Sequence, residues 1–198
     1  MLVRPITKEE RLQSAQLFAI AFESPFDPND LTPFAENPCI WAAFDEESGE
    51  MMSTVYVTDY RVQFDGGRYK MGGIGGVASL PQYRRAGGIR ACFQKALPIL
   101  YREGYVFSYL YPFSTAYYRK FGYESCVQRY LAVLDLRQPR PAEFSGSFRL
   151  ARGGDMLLPA IRQLDERWEA QYNMMVQHAE ADYRWLLSAA PASKQEFI

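Results

Sequence analysis

The segment Val77-Ala-Ser-Leu-Pro-Gln-Tyr-Arg-Arg-Ala-Gly-Gly-Ile-Arg90 decides the fold of this chain. Its pattern predicts the end of a strand, a basic turn that contains glycines, and the start of a helix. The first N–H groups of a helix have no partner within the helix and carry partial positive charge. Glycines let a ligand approach the backbone, and Arg84 and Arg85 add full charges. The segment therefore predicts a diphosphate site, with an ordinary turn that carries solvated arginines as the alternative.

The stretch just before it, Gly73-Ile-Gly-Gly-Val-Ala78, matches the dinucleotide-binding pattern G-x-G-x-x-A. That pattern has to open a helix, and Leu80-Pro81 prevents a helix from beginning at the second glycine. We therefore predict a strand in which the glycines permit a bulge and close contact with a ligand.

The remaining elements follow from apolar periodicity and from turn residues. Thr7 and Glu10 form the T-x-x-E pattern of a capping box, which predicts a helix over 8–22. Ser114 is the expected cap of a short helix over 115–121. The expected strands are 2–6, 39–45, 51–64, 69–80, 105–111 and 131–136, with a hairpin turn at 65–67 and a helix from 89 to 103.

The last third of the chain predicts a separate region. Residues 137–148 are typical of a linker, and 149–198 contain two expected helices and the opening of a strand. The first of these helices carries an apolar stripe of Leu157, Ile161, Leu164 and Trp168. About fifty residues are too few for an independent core, so this region either packs on the first domain or belongs to something longer. Its apolar end at 185–198 predicts a homo-oligomer.

Composition excludes several classes of function. The net charge of −1 gives no general attraction to nucleic acid or to an anionic membrane. No apolar run is long enough to cross a bilayer, and the first residues do not form a signal peptide, which predicts a cytoplasmic protein. The single histidine, His178, and three cysteines without a CxxC pair predict neither a metal site nor a disulfide framework.

Two motifs resemble a known family. The run Arg84-Arg-Ala-Gly-Gly-Ile89 resembles the R/Q-x-x-G-x-G/A signature of the GCN5-related N-acetyltransferases (GNAT), although Ile89 stands where a small residue is usual. That departure, and the run Tyr117-Tyr-Arg-Lys-Phe-Gly-Tyr123, are similar to the Eis-like (enhanced intracellular survival) branch. Residues 172–174 and 183–187 weakly resemble the start of that branch's second acetyltransferase-like region.

The resemblance implies an α/β fold with a mixed, mostly antiparallel sheet flanked by helices. It implies a GNAT domain over 1–136, the linker, and the beginning of a second GNAT-like region over 149–198. It also implies acetyl-CoA as co-substrate and Tyr118 as the general acid. The implied cofactor-binding residues are Val77, Ala78 and Ser79 beside the pantetheine, Arg85, Ala86, Gly87, Gly88, Ile89 and Arg90 around the diphosphate, and Phe113 and Ser114 along the cofactor. The resemblance implies that the branch uses its terminal carboxylate as the base, and residues 1–198 offer no counterpart that we can name.

The expected activity is transfer of an acetyl group from acetyl-CoA to a primary amine of a cationic small molecule or a lysine. An amine attacks the thioester directly, so the reaction needs neither a metal nor a nucleophilic Cys or His. Glu23, Asp27 and Asp30 in one loop are candidates for attracting a cation, and solvated loop charge is the favoured alternative. Two other interpretations stay open: transfer of a longer acyl group, and a catalytically degenerate module that binds CoA or a partner.

Overall fold

The structure is a computed structural model that describes residues 1–29, 39–128, 130, 131, 133, 158–178 and 183. In this part of the chain, six strands form one sheet. The elements are β1 (Leu2–Pro5), α1 (Arg11–Phe22), β2 (Cys39–Phe44), β3 (Met51–Phe64), β4 (Gly67–Ser79), α2 (Gly88–Arg102), β5 (Tyr105–Leu110), α3 (Thr115–Tyr118), α4 (Leu158–Glu169) and β6 (Met175–Gln177), with 3₁₀ turns at Pro81–Tyr83 and Arg119–Phe121.

The sheet is mostly antiparallel, as the sequence predicts. Its order is β1-β2-β3-β4-β5, and only β4 and β5 run parallel. The hairpin that joins β3 to β4 turns at 65–66, where the Asp-Gly pair has positive φ angles. Strand β6 pairs with Arg61–Gln63 of β3, beyond the segment that pairs with β2. The longest strand, β3, therefore lies at the centre of the sheet.

The two long helices of the first hundred residues cover opposite faces of β3. Neighbouring residues of a strand point to opposite faces. On one face, the Tyr56 hydroxyl lies 2.7 Å from Oγ of Ser14 in α1. On the other, Gly88 at the start of α2 lies against Ser53. Both faces of β3 are therefore buried at this end, which agrees with the unbroken buried run from Met51 to Val57.

The chain divides into two compact units. The first consists of Met1–Phe113 with Asp165–His178, and the second of Ser114–Leu164 with Ala179–Ile198. Within the first unit the later segment adds β6 to the sheet, and the Asp65 N–H donates to Oδ1 of Asn173 at 2.7 Å. The expected linker and the terminal strand lie outside the described residues. So do all residues but 183 of the second expected helix, which the sequence predicts over about 179–189, and all but 131 and 133 of the strand over 131–136. The domain boundaries stay predictions.

Two expectations about helices need correction. Helix α1 begins at Arg11 rather than at residue 8. The Glu10 carboxylate accepts the Thr7 N–H at 2.8 Å, which is one half of the capping box, but it also pairs with Arg4 of β1 at 2.7 Å. This ion pair holds Glu10 beside β1, and the helix starts only after it.

In α4 the expected apolar stripe is only partly buried: Ile161 is half-buried, and Leu157 lies outside the described residues. The side chains of Leu164 and Trp168 are 67% and 54% exposed, whereas Glu169 is buried. The turn that follows leads into β6, which pairs with β3. Burial raises the pKa of the Glu169 carboxyl. No helix in the described residues is long and apolar enough to span a bilayer.

Candidate active site

Strand β4 contains a bulge at its glycines. Gly75 pairs with Tyr56 and Ala78 pairs with Thr54, so Gly76 and Val77 together lie opposite a single residue of β3. Gly76 has a φ of +51°, and a Cβ atom there would lie 2.5 Å from the Tyr56 ring. Both observations require glycine at this position. The predicted bulge is confirmed.

Beyond the bulge, β4 has an open edge. Strand β5 pairs with β4 only over Lys70–Ile74. Leu80 donates its N–H to the Met52 carbonyl at 3.0 Å, and Ala78 pairs with Thr54, so these residues face β3. The alternation of a strand then turns the N–H and C=O groups of Val77 and Ser79 away from β3. Within the described residues no strand pairs with this edge, and an extended ligand can add to it as a strand does.

The turn after β4 leaves a set of backbone donors unused. Inside the turn, the N–H groups of Arg84 and Ala86 donate to Pro81 and Tyr83 at 3.3 and 3.2 Å. The Ala91 N–H is the first that donates within α2, to Gly87 at 3.0 Å. No described residue accepts from the N–H groups of Arg85, Gly87, Gly88, Ile89 and Arg90. This cluster at a helix N-terminus suits an anion.

The backbone of the turn bends through two left-handed residues, Arg85 with a φ of +68° and Gly87 with a φ of +88°. Gly88 is buried against Ser53, whose Cβ would lie 2.9 Å from a methyl group at position 88. The start of α2 therefore packs closely on β3. The Ser53 hydroxyl also lies 2.6 Å from the Ser79 hydroxyl, which ties the end of β4 to the same residue.

A carboxylate holds the first part of the turn. The Tyr83 hydroxyl donates to Glu50 at 2.8 Å, and the Gln82 amide donates to the other oxygen of the same carboxylate at 3.3 Å. The hydrogen bond from Tyr83 to Glu50 raises the pKa of the Tyr83 hydroxyl. Arg84, Arg85 and Arg90 are all exposed, and no described carboxylate lies within ion-pair distance of them. These three arginines, which have no ion-pair partner among the described residues, belong to the same segment as the unused donors, and this favours an anionic ligand.

The second unit contains the tyrosine motif. The Ser114 side chain accepts the Tyr117 N–H at 3.3 Å and caps α3, as predicted. Tyr118 is 4% exposed and contacts the rings of Tyr117 and Tyr123, with centroid distances of 5.3 and 6.3 Å. Burial first, and then these two phenols, raise the pKa of Tyr118 to about 12. Its hydroxyl therefore stays protonated well above neutral pH.

The predicted cofactor residues fall into three groups. Val77 and Ser79 lie on the open edge, with Ala78 between them in the core beside Leu17 and Phe44. Residues 85–90 form the turn and the start of α2 as expected. Phe113 is 74% exposed at the end of the first unit, and Ser114 begins the second.

Sequence reasoning missed the residues of β3 that contact the bulge and the glycine turn. Ser53 contacts Gly88, the Thr54 hydroxyl donates to the Gly76 carbonyl at 2.9 Å, and Tyr56 lies under the bulge. Their signal was polar side chains within an otherwise apolar strand that is buried on both faces. In the described residues no three His, Cys, Asp or Glu side chains come together as metal ligands would.

Comparison with known proteins agrees with this geometry. The family model of the acetyltransferase (GNAT) domain matches residues 2–126. These residues contain the sheet from β1 to β5, the open edge, the glycine turn and the tyrosine helix. The chain belongs to this acetyltransferase family. No protein with a curated function matches the sequence.

Solved structures share the fold. A probable N-acyltransferase from Enterococcus faecalis V583 is 35% identical, with a TM-score of 0.57 over 62% of this chain and 32% of its own. Eis1 from Mycobacterium abscessus is 20% identical, with a TM-score of 0.55 over 62% of this chain and 31% of its own. Glucosamine-6-phosphate N-acetyltransferase from Arabidopsis thaliana is 14% identical, with a TM-score of 0.53 over 68% and 98%. The chain thus matches about a third of the length of the first two.

Proposed function

We propose that this protein transfers the acetyl group of acetyl-CoA to a primary amine of a cationic small molecule or of a lysine. One observation carries the proposal: the open edge at 77–79 leads within a few residues to the unused donors and arginines of 84–90. Acetyl-CoA has the matching order of parts, because a pantetheine with two amides joins the thioester to a diphosphate. Gly75 and Gly87 have nothing within 4 Å of a Cβ position, so both sides of the site have room for it.

In this arrangement the Val77 carbonyl and the backbone groups of Ser79 pair with the pantetheine amides, while the Val77 N–H faces the thioester. Arg85, Arg90 and the N–H groups from 85 to 90 hold the diphosphate, with Phe113 and Ser114 along the cofactor. The contribution of the protein is to align the amine with the thioester, which is worth up to about 7–11 kcal/mol in favourable intramolecular reactions. A backbone donor near the bulge supports the oxyanion that forms.

Tyr118 is the proposed acid. The amine nitrogen attacks the thioester carbon, the C–S bond breaks, the sulfur gains a proton and the nitrogen loses one. With a tyrosine pKa of about 12 and a thiol pKa of about 8.5, transfer to a free thiolate is uphill by roughly 3.5 units. Tyr118 therefore donates a hydrogen bond to the departing sulfur and passes its proton to it, and the proton that leaves the attacking nitrogen, carried by solvent, restores the phenol.

The class of acceptor rests on the resemblance to the Eis-like branch, which the Tyr117–Tyr123 motif supports. Within the first loop, Asp27 accepts hydrogen bonds from the backbone and side chain of Asn29 at 2.8 and 3.2 Å. Its charge is thus engaged in its own turn, which favours the view of this loop as solvated charge.

Binding and turnover test the proposal separately. Replacing Arg85 and Arg90 together with Ala is expected to raise the dissociation constant of acetyl-CoA by about ten-fold or more, and by less at high salt. Arg102→Ala is the matched control, because it removes an exposed arginine from the other end of α2. Equal affinities of the double variant and wild type in calorimetric titrations would contradict the diphosphate site.

For the chemical step, Tyr118→Phe is expected to lower kcat about 100-fold with little change in acetyl-CoA affinity. Tyr123→Phe is the control, since its hydroxyl belongs to the same aromatic cluster. Release of CoA is followed with a thiol reagent and a panel of polyamines, aminoglycosides and lysine peptides. If Tyr123→Phe is the slower variant, the acid is assigned to the wrong tyrosine. If wild type binds acetyl-CoA but acetylates nothing, the alternative of a CoA-binding module is favoured.

A further inference from the structure

We propose that Thr54 is a positioning residue that aims the Val77 N–H at the thioester of the substrate; this inference rests on the proposed function. Thr54 lies in β3, outside the glycine turn and the tyrosine motif. Its side chain is fully buried, and its hydroxyl donates to the carbonyl of Gly76 in the bulge at 2.9 Å.

The surroundings of Thr54 give no packing reason for a hydroxyl. The residue lies within the buried run from Met51 to Val57, on the sheet face that Leu17 and Ala42 also line. Valine has nearly the same shape and avoids the cost of burying a polar group. A buried hydroxyl is stabilising only through its hydrogen bond, and the Gly76 carbonyl is the partner it has.

That hydrogen bond sets the direction of the next N–H. Gly76 and Val77 share one planar trans peptide, in which C=O and N–H point in opposite directions. Because the Gly76 carbonyl points to Thr54 on β3, the Val77 N–H points away from β3, to the open edge. The register agrees, since Ala78 pairs with Thr54 and its neighbour at 77 faces the other way.

Without Thr54, little else fixes the plane of this peptide. Gly76 has a φ of +51° in a bulge, and glycine accepts many backbone angles. The Tyr56 ring supports Gly76 from beneath but offers its carbonyl no hydrogen bond of its own. Thr54→Val therefore leaves the bulge in place and releases the direction of the Val77 N–H.

The chemical consequence is confined to one step. When the amine nitrogen attacks the thioester carbon, the carbonyl oxygen takes up the electron pair of the broken C=O π bond. A donor aimed at that oxygen stabilises the developing charge, and removal of such a donor typically costs 100- to 1,000-fold in kcat. Thr54 only aims the donor, so its loss is expected to cost about ten-fold.

Strand β5 offers a matched control. The Ser108 hydroxyl donates to the Gly72 carbonyl at 3.2 Å, so it also bonds a glycine carbonyl of β4. Gly72 lies where β4 is paired on both sides, with Ser108 opposite it. Ser108→Ala removes a comparable hydrogen bond at a place where no donor faces the substrate.

The experiment uses acetyl-CoA labelled with ¹³C at the carbonyl and needs no acceptor. Isotope-edited infrared difference spectra report the carbonyl stretch, which falls in frequency when the oxygen accepts a hydrogen bond. We expect a downshift in wild type, Thr54→Ser and Ser108→Ala, and a smaller one in Thr54→Val. Calorimetry on the same samples is expected to show acetyl-CoA affinities within about two-fold of one another. With an acceptor from the panel above, kcat should fall about ten-fold in Thr54→Val, and KM for acetyl-CoA should stay within two-fold.

The outcomes separate the two levels of the argument. If wild type does not bind acetyl-CoA, the proposed function fails. If wild type binds with a downshift and Thr54→Val shows the same downshift, the role of Thr54 is overturned while the function stands. If the carbonyl downshift and kcat fell as much in Ser108→Ala as in Thr54→Val, the role of Thr54 would also be overturned, because any hydroxyl hydrogen bond to β4 would then have the same effect. If Thr54→Ser keeps the wild-type downshift and kcat while Thr54→Val loses them, the positioning role of Thr54 is supported.

Discussion

The two halves of strand β4 differ in what lies beside them. From Gly67 to Ile74 the strand has β3 on one side, and β5 joins it on the other from Lys70 onward. From Gly75 to Ser79 the described residues provide a strand partner on the β3 side only. The bulge lies at the start of this second half. One strand thus lies inside the sheet at one end and has an edge at the other that no described strand pairs with, which is the proposed binding edge.

The glycines of the two halves look alike in sequence and differ in environment. Gly72 lies in ordinary contact with Leu100 and Val57, where a Cβ would lie 3.5 Å from each side chain. Gly76 is left-handed, and its Cβ position is occupied by the Tyr56 ring. The glycine pairs alone therefore do not distinguish the half of β4 that forms the candidate site. The left-handed backbone angle of Gly76 and the absence of a described second neighbour strand distinguish it.

The largest expected effect is that of Gly76→Ala on stability. A left-handed φ costs a non-glycine residue about 1–2 kcal/mol, and overpacking against the Tyr56 ring adds about 1–3 kcal/mol. We expect a loss of about 2–5 kcal/mol in the free energy of unfolding, measured by urea titration. Gly72→Ala is the control, with an expected change within about 1 kcal/mol. If Gly72→Ala lowers the free energy of unfolding more than Gly76→Ala does, the contrast drawn between the two halves of β4 is wrong.

A smaller effect is expected from Gly75→Ala. This residue is exposed, its φ is not in the left-handed region, and nothing lies within 4 Å of its Cβ position. The free energy of unfolding should change by less than about 1 kcal/mol, because alanine suits a strand at least as well as glycine. A methyl group beside a bound ligand is expected to cost about 1 kcal/mol, or roughly five-fold in acetyl-CoA affinity. Unchanged affinity would place the ligand away from the bulge.

Much of this difference was predictable from local pattern. The alternation in 51–64, the Asp-Gly turn and the Leu-Pro pair after the glycines indicated the hairpin, the strand and the bulge. Turn chemistry and periodicity act within a few residues, so they are legible in a single sequence. The same holds for Ser114, whose capping hydrogen bond joins residues three apart.

The supports of the site were not predictable in this way. Thr54 reaches Gly76 across 22 positions and Ser53 reaches Ser79 across 26, so only the register of β3 against β4 brings them together. The buried side of α4 was wrong for a related reason. Its apolar stripe indicated Leu164 and Trp168, but the structure buries Glu169, at the end of the helix that precedes β6. Contacts between distant segments override local amphipathicity.

The smallest expected effect concerns pH, and it separates binding from turnover. In the proposed site, the open half of β4 and the glycine turn bind through backbone groups, which do not titrate, and through arginines, which stay charged. The second ionisation of a phosphate monoester has a pKa of about 6, so it is about 90% complete at pH 7. Acetyl-CoA affinity is therefore expected to change less than about two-fold between pH 7 and 9.5. Calorimetry in buffers of matched ionic strength measures it, with Tyr118→Phe as a second sample that should be equally insensitive.

Turnover should behave differently over the same range. The acceptor amine must lose a proton, so kcat/KM is expected to rise toward the amine pKa of about 10. Burial raises the pKa of Tyr118 to about 12, so its phenol keeps its proton throughout this range. It stops serving as an acid only as the pH approaches 12. No falling limb due to Tyr118 is therefore expected below about pH 10. A fall between pH 8 and 9 that disappears in Tyr118→Phe would mean that the tyrosine ionises far more easily in the working enzyme than its buried position allows.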